Sequence, residues 1–160
     1  MIERLYELFN YNTETGVLTR LVRTSNRNRA GDIAGWLDAQ GYRRVKFDGK
    51  TYQVHRLVWF YVHGTWPTDQ LDHINGVKGD NRITNLREAT NSQNQQNQRK
   101  PHSRNKNGYL GVTYRKRLDK WQARIKINGT QRHLGLFSTP EYANEAYLQA
   151  KRELHPFGEL

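Results

Sequence analysis

Apolar residues along the chain come in short runs broken by turn-forming residues. No run approaches the ~20 residues that a membrane-spanning helix needs. Residues 1–50 read as short strands and turns, with TGVLTRLV and GYRRVKFDGKTYQV as the strand segments. In the second segment Tyr42, Arg44 and Lys46 alternate with Arg43, Val45 and Phe47, and Asp48-Gly49 is a strong hairpin signal. A short helix is expected over HRLVWFYVHG, ending at Gly64 with Pro67 beyond, and its apolar density predicts burial. Next, DHINGVKGDNRI reads as a hairpin-like loop and NLREATNSQNQQNQR as a helix.

Residues 95–108 contain no aliphatic side chain and read as a basic linker. The pattern then changes. YLGVTYRKR and KWQARIKING read as strands joined by a turn at Leu118-Asp119, with Trp121, Ala123, Ile125 and Ile127 on one face of the second. The other face carries Gln122, Arg124, Lys126 and Asn128. A third strand over QRHLGLF leads to a helix capped by Ser138 or Thr139, with Pro140 in its first turn. Tyr142, Ala146, Ala150 and Leu154 are its expected apolar stripe. The fold class is therefore α+β, with three strands and one covering helix in the second half. The expected division is a first domain over 1–97, a linker over 98–107 and a second domain over 108–160.

Composition sharpens this picture. The hydrophobic content of 35% and mean hydropathy of −0.99 suit two small cores better than one large one. There is no cysteine, so disulfides and thiolate metal sites are excluded and a reducing compartment fits. The amino-terminal MIERLYELFN lacks the apolar core of a signal peptide, and a cytoplasmic location is expected, that of a bacterial host if the gene is a phage's. Lys and Arg total 26 against 15 acids, a net charge of +11, and such a field attracts polyanions, nucleic acid above all. No basic amphipathic helix points to a membrane, and no obligate protein partner is evident.

Chemistry concentrates in DHINGVKGDNRITNLREATNSQN, residues 72–94. Phosphodiester hydrolysis needs an activated water and stabilisation of charge on the phosphate. Asp72 can offer a carboxylate oxygen and Asn94 an amide oxygen to a hard cation such as Mg²⁺. A neutral His73 can take a proton from water near pH 7. On an extended segment His73 and Asp72 point to opposite sides, so base and metal ligand can flank one phosphate. Asn85, at the start of the expected helix, can cap it or tie the loop that carries the base. Asn91 and Asn97 lie one helical turn either side of Asn94 and are alternative ligands. His55 reads as a packed scaffold histidine and His63 as a surface residue at a helix end. Asp80, Asn81 and Arg82 read as turn chemistry, with Arg82 also able to clamp a phosphate.

VHRLVW followed by DHINGVKGDNRITNLREATNSQNQQN resembles the HNH homing endonucleases of bacteriophages and group I introns. It is similar to the subgroup in which Asp-His replaces His-His and a late Asn replaces the final His. The resemblance implies a ββα-metal nuclease domain with one Mg²⁺ or Mn²⁺ ion per active site. It implies Asp72 and Asn94 as metal ligands, His73 as general base and Asn85 as the residue that fixes the loop.

From Arg99 to Arg132 there are eleven Lys or Arg residues and one acid, Asp119. A basic strand ribbon of this kind can enter the DNA major groove or simply grip phosphates. The segment from Tyr109 to Ala150 resembles the plant ethylene-response-factor DNA-binding domain, through GV, W-x-A-x-I and LG-x-F. The resemblance implies docking of a three-stranded antiparallel sheet on double-stranded DNA, with Arg115, Arg117, Arg124 and Lys126 at corresponding sheet positions. Thr113 and His133 depart from the plant pattern, so its target sequence is not carried over. Arg99, Lys100, Arg104, Lys106 and Arg132 complete the expected DNA contacts. The expected function is a divalent-metal-dependent DNA endonuclease. The alternative is a non-catalytic DNA-binding protein on a degenerate nuclease fold.

Overall fold

The computed structural model describes residues 1–101 and 105–158. Arg104, one of the expected DNA contacts, lies outside the described residues. The chain divides into two compact units, Met1–Ala89 and Thr90–Leu160.

The first unit opens with a helix, α1 (Ile2–Leu8), where only strands and turns were expected. Ile2, Leu5 and Leu8 recur every third residue, and Leu5 is fully buried. The helix leads into a hairpin of β1 (Phe9–Tyr11) and β2 (Leu18–Arg20). A three-stranded sheet follows, β3 (Trp36–Leu37), β4 (Arg43–Phe47) and β5 (Lys50–Gln53), with β4 central. Its β4–β5 turn is the predicted Asp48-Gly49 pair, both at positive φ (46° and 74°), the backbone a tight two-residue hairpin requires. Helix α2 (Val54–His63) buries Val54, Leu57, Val58 and Phe60 against Phe9, Leu18, Val45 and Phe47. It stops where expected, at Gly64 in the left-handed region.

The last element of this unit is a two-stranded hairpin, β6 (Gln70–His73) and β7 (Leu86–Ala89), antiparallel with Asp72 opposite Arg87 and His73 opposite Leu86. Strand β7 corrects the expected helix over 85–99, which forms only as α3 (Asn91–Gln96), in the second unit. Leu-Arg-Glu-Ala contains good helix formers, but pairing with β6 and burial of Leu86 and Ala89 override that local preference. The helix begins where a capping box is written, with the Thr90 hydroxyl on the Gln93 amide and the Gln93 side chain on the Thr90 amide.

The second unit follows the expected pattern after residue 108. Strands β8 (Val112–Arg115), β9 (Lys120–Ile127) and β10 (Thr130–Phe137) form an antiparallel sheet with β9 central. Helix α4 (Pro140–Leu154) covers it, capped by Thr139 with Pro140 in the first turn. The buried stripe of α4 is Ala143, Tyr147 and Ala150, one position on from the expected stripe at its amino-terminal end, and Tyr142 is exposed. The Thr139 side chain accepts the Tyr142 amide. Thr139→Ala is therefore expected to lower the stability of this unit by about 1 kcal/mol, measured by urea denaturation.

Candidate active site and nucleic-acid interface

Asp72 and His73 are the last two residues of β6, and both side chains are buried, at 6% and 5% exposure. The pleat of a strand sends neighbouring side chains to opposite faces. Asp72 meets its cross-strand partner Arg87, whose Nε and Nη2 both donate to Oδ2 at 3.1 and 3.0 Å. His73 meets a different set of groups. Its ring lies edge-on to His55 with centroids 5.1 Å apart, and Tyr42 flanks both imidazoles. Its Nε2 lies 3.1 Å from Asn81 Oδ1.

Burial lowers the His73 pKa below its ordinary value, against the opposing pull of the Asn81 hydrogen bond and the Asp72 and Asp80 charges. The imidazole is therefore neutral at pH 7, the state in which it can accept a proton. His55 is pushed down to about 3, first by burial and then by the neighbouring His73 and Arg56. It is the packed scaffold histidine expected from its position. His63 is exposed at the end of α2, beside Trp59.

The loop between β6 and β7 is held by side chains. Asn85 ends a 3₁₀ turn, Ile83–Asn85, rather than starting a helix. Its Oδ1 accepts the Asn75 amide at 2.9 Å and its Nδ2 donates to the Asp80 carbonyl at 2.8 Å, so one buried side chain ties both ends of the turn that follows His73. Asp80 binds Asn75 Nδ2 and pairs with Arg82 through two contacts of 2.8 and 2.5 Å. That ion pair brings the Asp80 carboxyl down to about 2. Arg82 is exposed, but its guanidinium is engaged by Asp80.

Three residues of this constellation were not singled out from the sequence. Asn81 read as turn chemistry, and Arg87 read as helical, which hid its pairing with Asp72. Tyr42 read only as one position of an alternating strand. The one signal available was the Asn at a fixed distance, eight residues, after the candidate base.

In the second unit Asn94 lies half-buried on α3, its amide bonded to the Thr90 carbonyl. Asn91 is exposed and Asn97 is buried at the carboxyl end of the same helix. Arg99, Lys100 and Lys106 are exposed. On the sheet, Arg115, Gln122 and His133 form a chain across three strands, with Arg115 Nε donating to Gln122 Oε1 at 2.6 Å and Gln122 Nε2 2.8 Å from His133 Nδ1. Arg124 Nη1 donates to Gln131 Oε1 at 3.0 Å, and Lys126 stands opposite Gln131. Two expected sheet contacts are placed differently. Arg117 sits in the β8–β9 turn, because β8 ends at Arg115. Arg132 pairs with Ile125, so it belongs to the face opposite Arg124 and Lys126.

Among the described residues there is no cluster of three His, Asp or Glu side chains placed to hold a metal ion, and no helix long and apolar enough to cross a membrane. The Asp72 carboxylate, buried at the end of β6, is an oxygen donor of the kind a hard cation takes, and such a cation needs only one or two protein oxygens, with water and phosphate supplying the rest. No curated protein and no solved structure matches the chain. Residues 52–96, the stretch from β5 through α2 and the β6–β7 hairpin to the end of α3, match the family model of HNH endonucleases, which supports a nuclease hydrolase.

Proposed function

We propose that this chain is a divalent-metal-dependent HNH endonuclease of the homing type that hydrolyses phosphodiester bonds in double-stranded DNA, by nicking or by double-strand cleavage. The observation that carries the reading is the buried Asp72-His73 pair at the end of β6, within the residues that match the HNH endonuclease model. A buried carboxylate beside a buried neutral imidazole is costly to fold, and such groups concentrate where chemistry needs them.

His73 acts as the general base. It takes a proton from water, the water oxygen attacks phosphorus in line, and the P–O3′ bond breaks, the leaving 3′ oxygen taking up a proton from solvent. Asn85 fixes the loop behind the base through its bonds to Asn75 and Asp80. Asp72 would hold the metal. Asn94 is assigned as the second ligand by resemblance, ahead of Asn91 and Asn97. One divalent cation so held, Mg²⁺ or Mn²⁺, would supply charge stabilisation to the phosphate. Arg87 orients the Asp72 carboxylate.

The second unit binds DNA through its basic sheet face, with Arg115, Arg124 and Lys126 as contacts and Arg117 reaching from the adjoining turn. Its folding pattern supports the likeness to the ethylene-response-factor domain: three antiparallel strands under one helix, with the polar side chains of β9 left facing outward. Arg99, Lys100 and Lys106 add phosphate contacts, whereas Arg82 would reach a phosphate only by giving up its two-contact pair with the part-buried Asp80. The protein is incubated with labelled duplex DNA and, separately, with RNA of the same sequence, with Mg²⁺ or with EDTA. Metal-dependent cleavage of the duplex alone is expected. Salt-sensitive binding without cleavage, on DNA that contains the native target, would instead support a DNA-binding protein on a silent nuclease fold.

A further inference from the structure

The loop that carries Asn81 is braced from outside the stretch that matches the nuclease model. Tyr11, on β1, donates its hydroxyl proton to the Asn81 carbonyl at 3.0 Å and accepts the Ile83 amide at 2.8 Å. Gly16, in the β1–β2 turn at φ 72°, lies against the same backbone. A Cβ there would fall 2.4 Å from the Arg82 nitrogen and 2.7 Å from the Asn81 carbonyl carbon. The amino-terminal hairpin thus fixes the backbone of Asn81 from one side, and the Asn81 side chain, at 2% exposure, has settled on the ring of His73.

The chemistry of that contact has one reading. An amide oxygen carries no proton and can only accept. With Asn81 Oδ1 at 3.1 Å, His73 Nε2 must hold the ring proton, which leaves the lone pair on Nδ1. We infer that Asn81, held in place by Tyr11, is a positioning residue that sets the His73 tautomer, so that Nδ1 is the nitrogen that receives the proton from water. Without it the ring can exchange tautomers, and the form with a proton on Nδ1 turns an N–H toward the water it should deprotonate. The inference rests on the reading of His73 as the base, but the tautomer can be observed without any cleavage.

The full chain is labelled with ¹⁵N, and the imidazole nitrogens are recorded by long-range ¹H–¹⁵N correlation without metal at neutral pH. The His73 signals are identified by their loss in His73→Gln. Wild type is expected to show a protonated Nε2 and an unprotonated Nδ1 at His73. Asn81→Ala should average the two tautomers and lower kcat by about 10- to 100-fold with KM unchanged, the range seen when a partner that orients a reacting group is removed. Asn81→Asp, which keeps an acceptor oxygen in place, should restore the tautomer, and Tyr11→Phe should weaken the preference with Asn81 intact. A protonated Nδ1 in wild type overturns the inference even if Asn81→Ala does not fold, and so does an unchanged tautomer in a folded Asn81→Ala. If His73→Gln cleaves as wild type does, the general-base reading fails, and the tautomer spectrum still reports separately on Asn81.

Discussion

His73→Gln is expected to lower the cleavage rate by about 10²- to 10⁴-fold, the contribution a positioned general base makes. DNA affinity should change little, because a general base acts on the attacking water rather than gripping the phosphate. The expected loss lies in kcat, since the removed interaction acts only in the transition state. The pH dependence gives the same prediction a sign. Burial holds the His73 imidazole below its ordinary pKa, so the base stays neutral through neutral pH and protonates only under more acidic conditions than a free histidine would. The wild-type rate should therefore be flat near pH 7 and fall on the acid side, below pH 6.5. In His73→Gln the residual rate should lack that acid limb. Single-turnover rates from pH 5 to 8 at fixed metal concentration check both statements, and a mutant that keeps the wild-type acid limb would contradict them.

The first unit should lose stability steeply in mild acid, and His55 should account for much of the loss. Its ordinary pKa is 6.5 and burial brings it to about 3. Above pH 6.5 both the folded and unfolded chains carry it neutral, and it adds no pH dependence. Below pH 6.5 the unfolded chain binds a proton that the folded chain refuses, so stability falls with decreasing pH until the folded pKa is reached. The loss is about 2 kcal/mol by pH 5 and about 4–5 kcal/mol when complete near pH 3. His73, lowered in the same direction, adds to the effect within the same window. Urea unfolding followed on the NMR signals of α2 at pH 7 and pH 5, in wild type and His55→Leu, measures the difference. The variant is expected to lose markedly less stability between the two pH values. Parallel losses would show that His55 is protonated in the folded state.

The parts of this molecule legible in its sequence are those fixed by local stereochemistry. Asp48-Gly49 can adopt the positive φ angles of a tight hairpin, and Gly64 can close α2 in the left-handed region. The alternation of Trp121, Ala123, Ile125 and Ile127 gives a strand buried on one face because side-chain direction repeats every two residues. The parts that escaped depend on partners distant in sequence. Leu86–Ala89 would suit a helix alone and becomes a strand because β6 lies beside it. Helix α1, at seven residues, is too short to announce itself and is held by tertiary packing of Leu5.

The site divides in the same way. Asp72, His73 and Asn85 stood out as chemical types at fixed spacing. The bonds of Asn85 to Asn75 and Asp80 are local, made within ten residues of chain. Asn81 and Arg87 are ordinary residue types whose roles appear only when β6 and β7 pair and when Tyr11, 70 residues earlier in the chain, reaches the loop. On the sheet of the second unit, Arg117 and Arg132 carry the right charge, but strand length and register decide which face they serve.

Conversion of supercoiled plasmid reports whether this protein hydrolyses DNA through His73 and a divalent ion. Wild type with Mg²⁺ is run beside wild type with EDTA and His73→Ala with Mg²⁺. Nicked or linear product is expected in the first sample and intact supercoiled plasmid in the other two. Product in EDTA, or from His73→Ala at the wild-type rate, would contradict that mechanism.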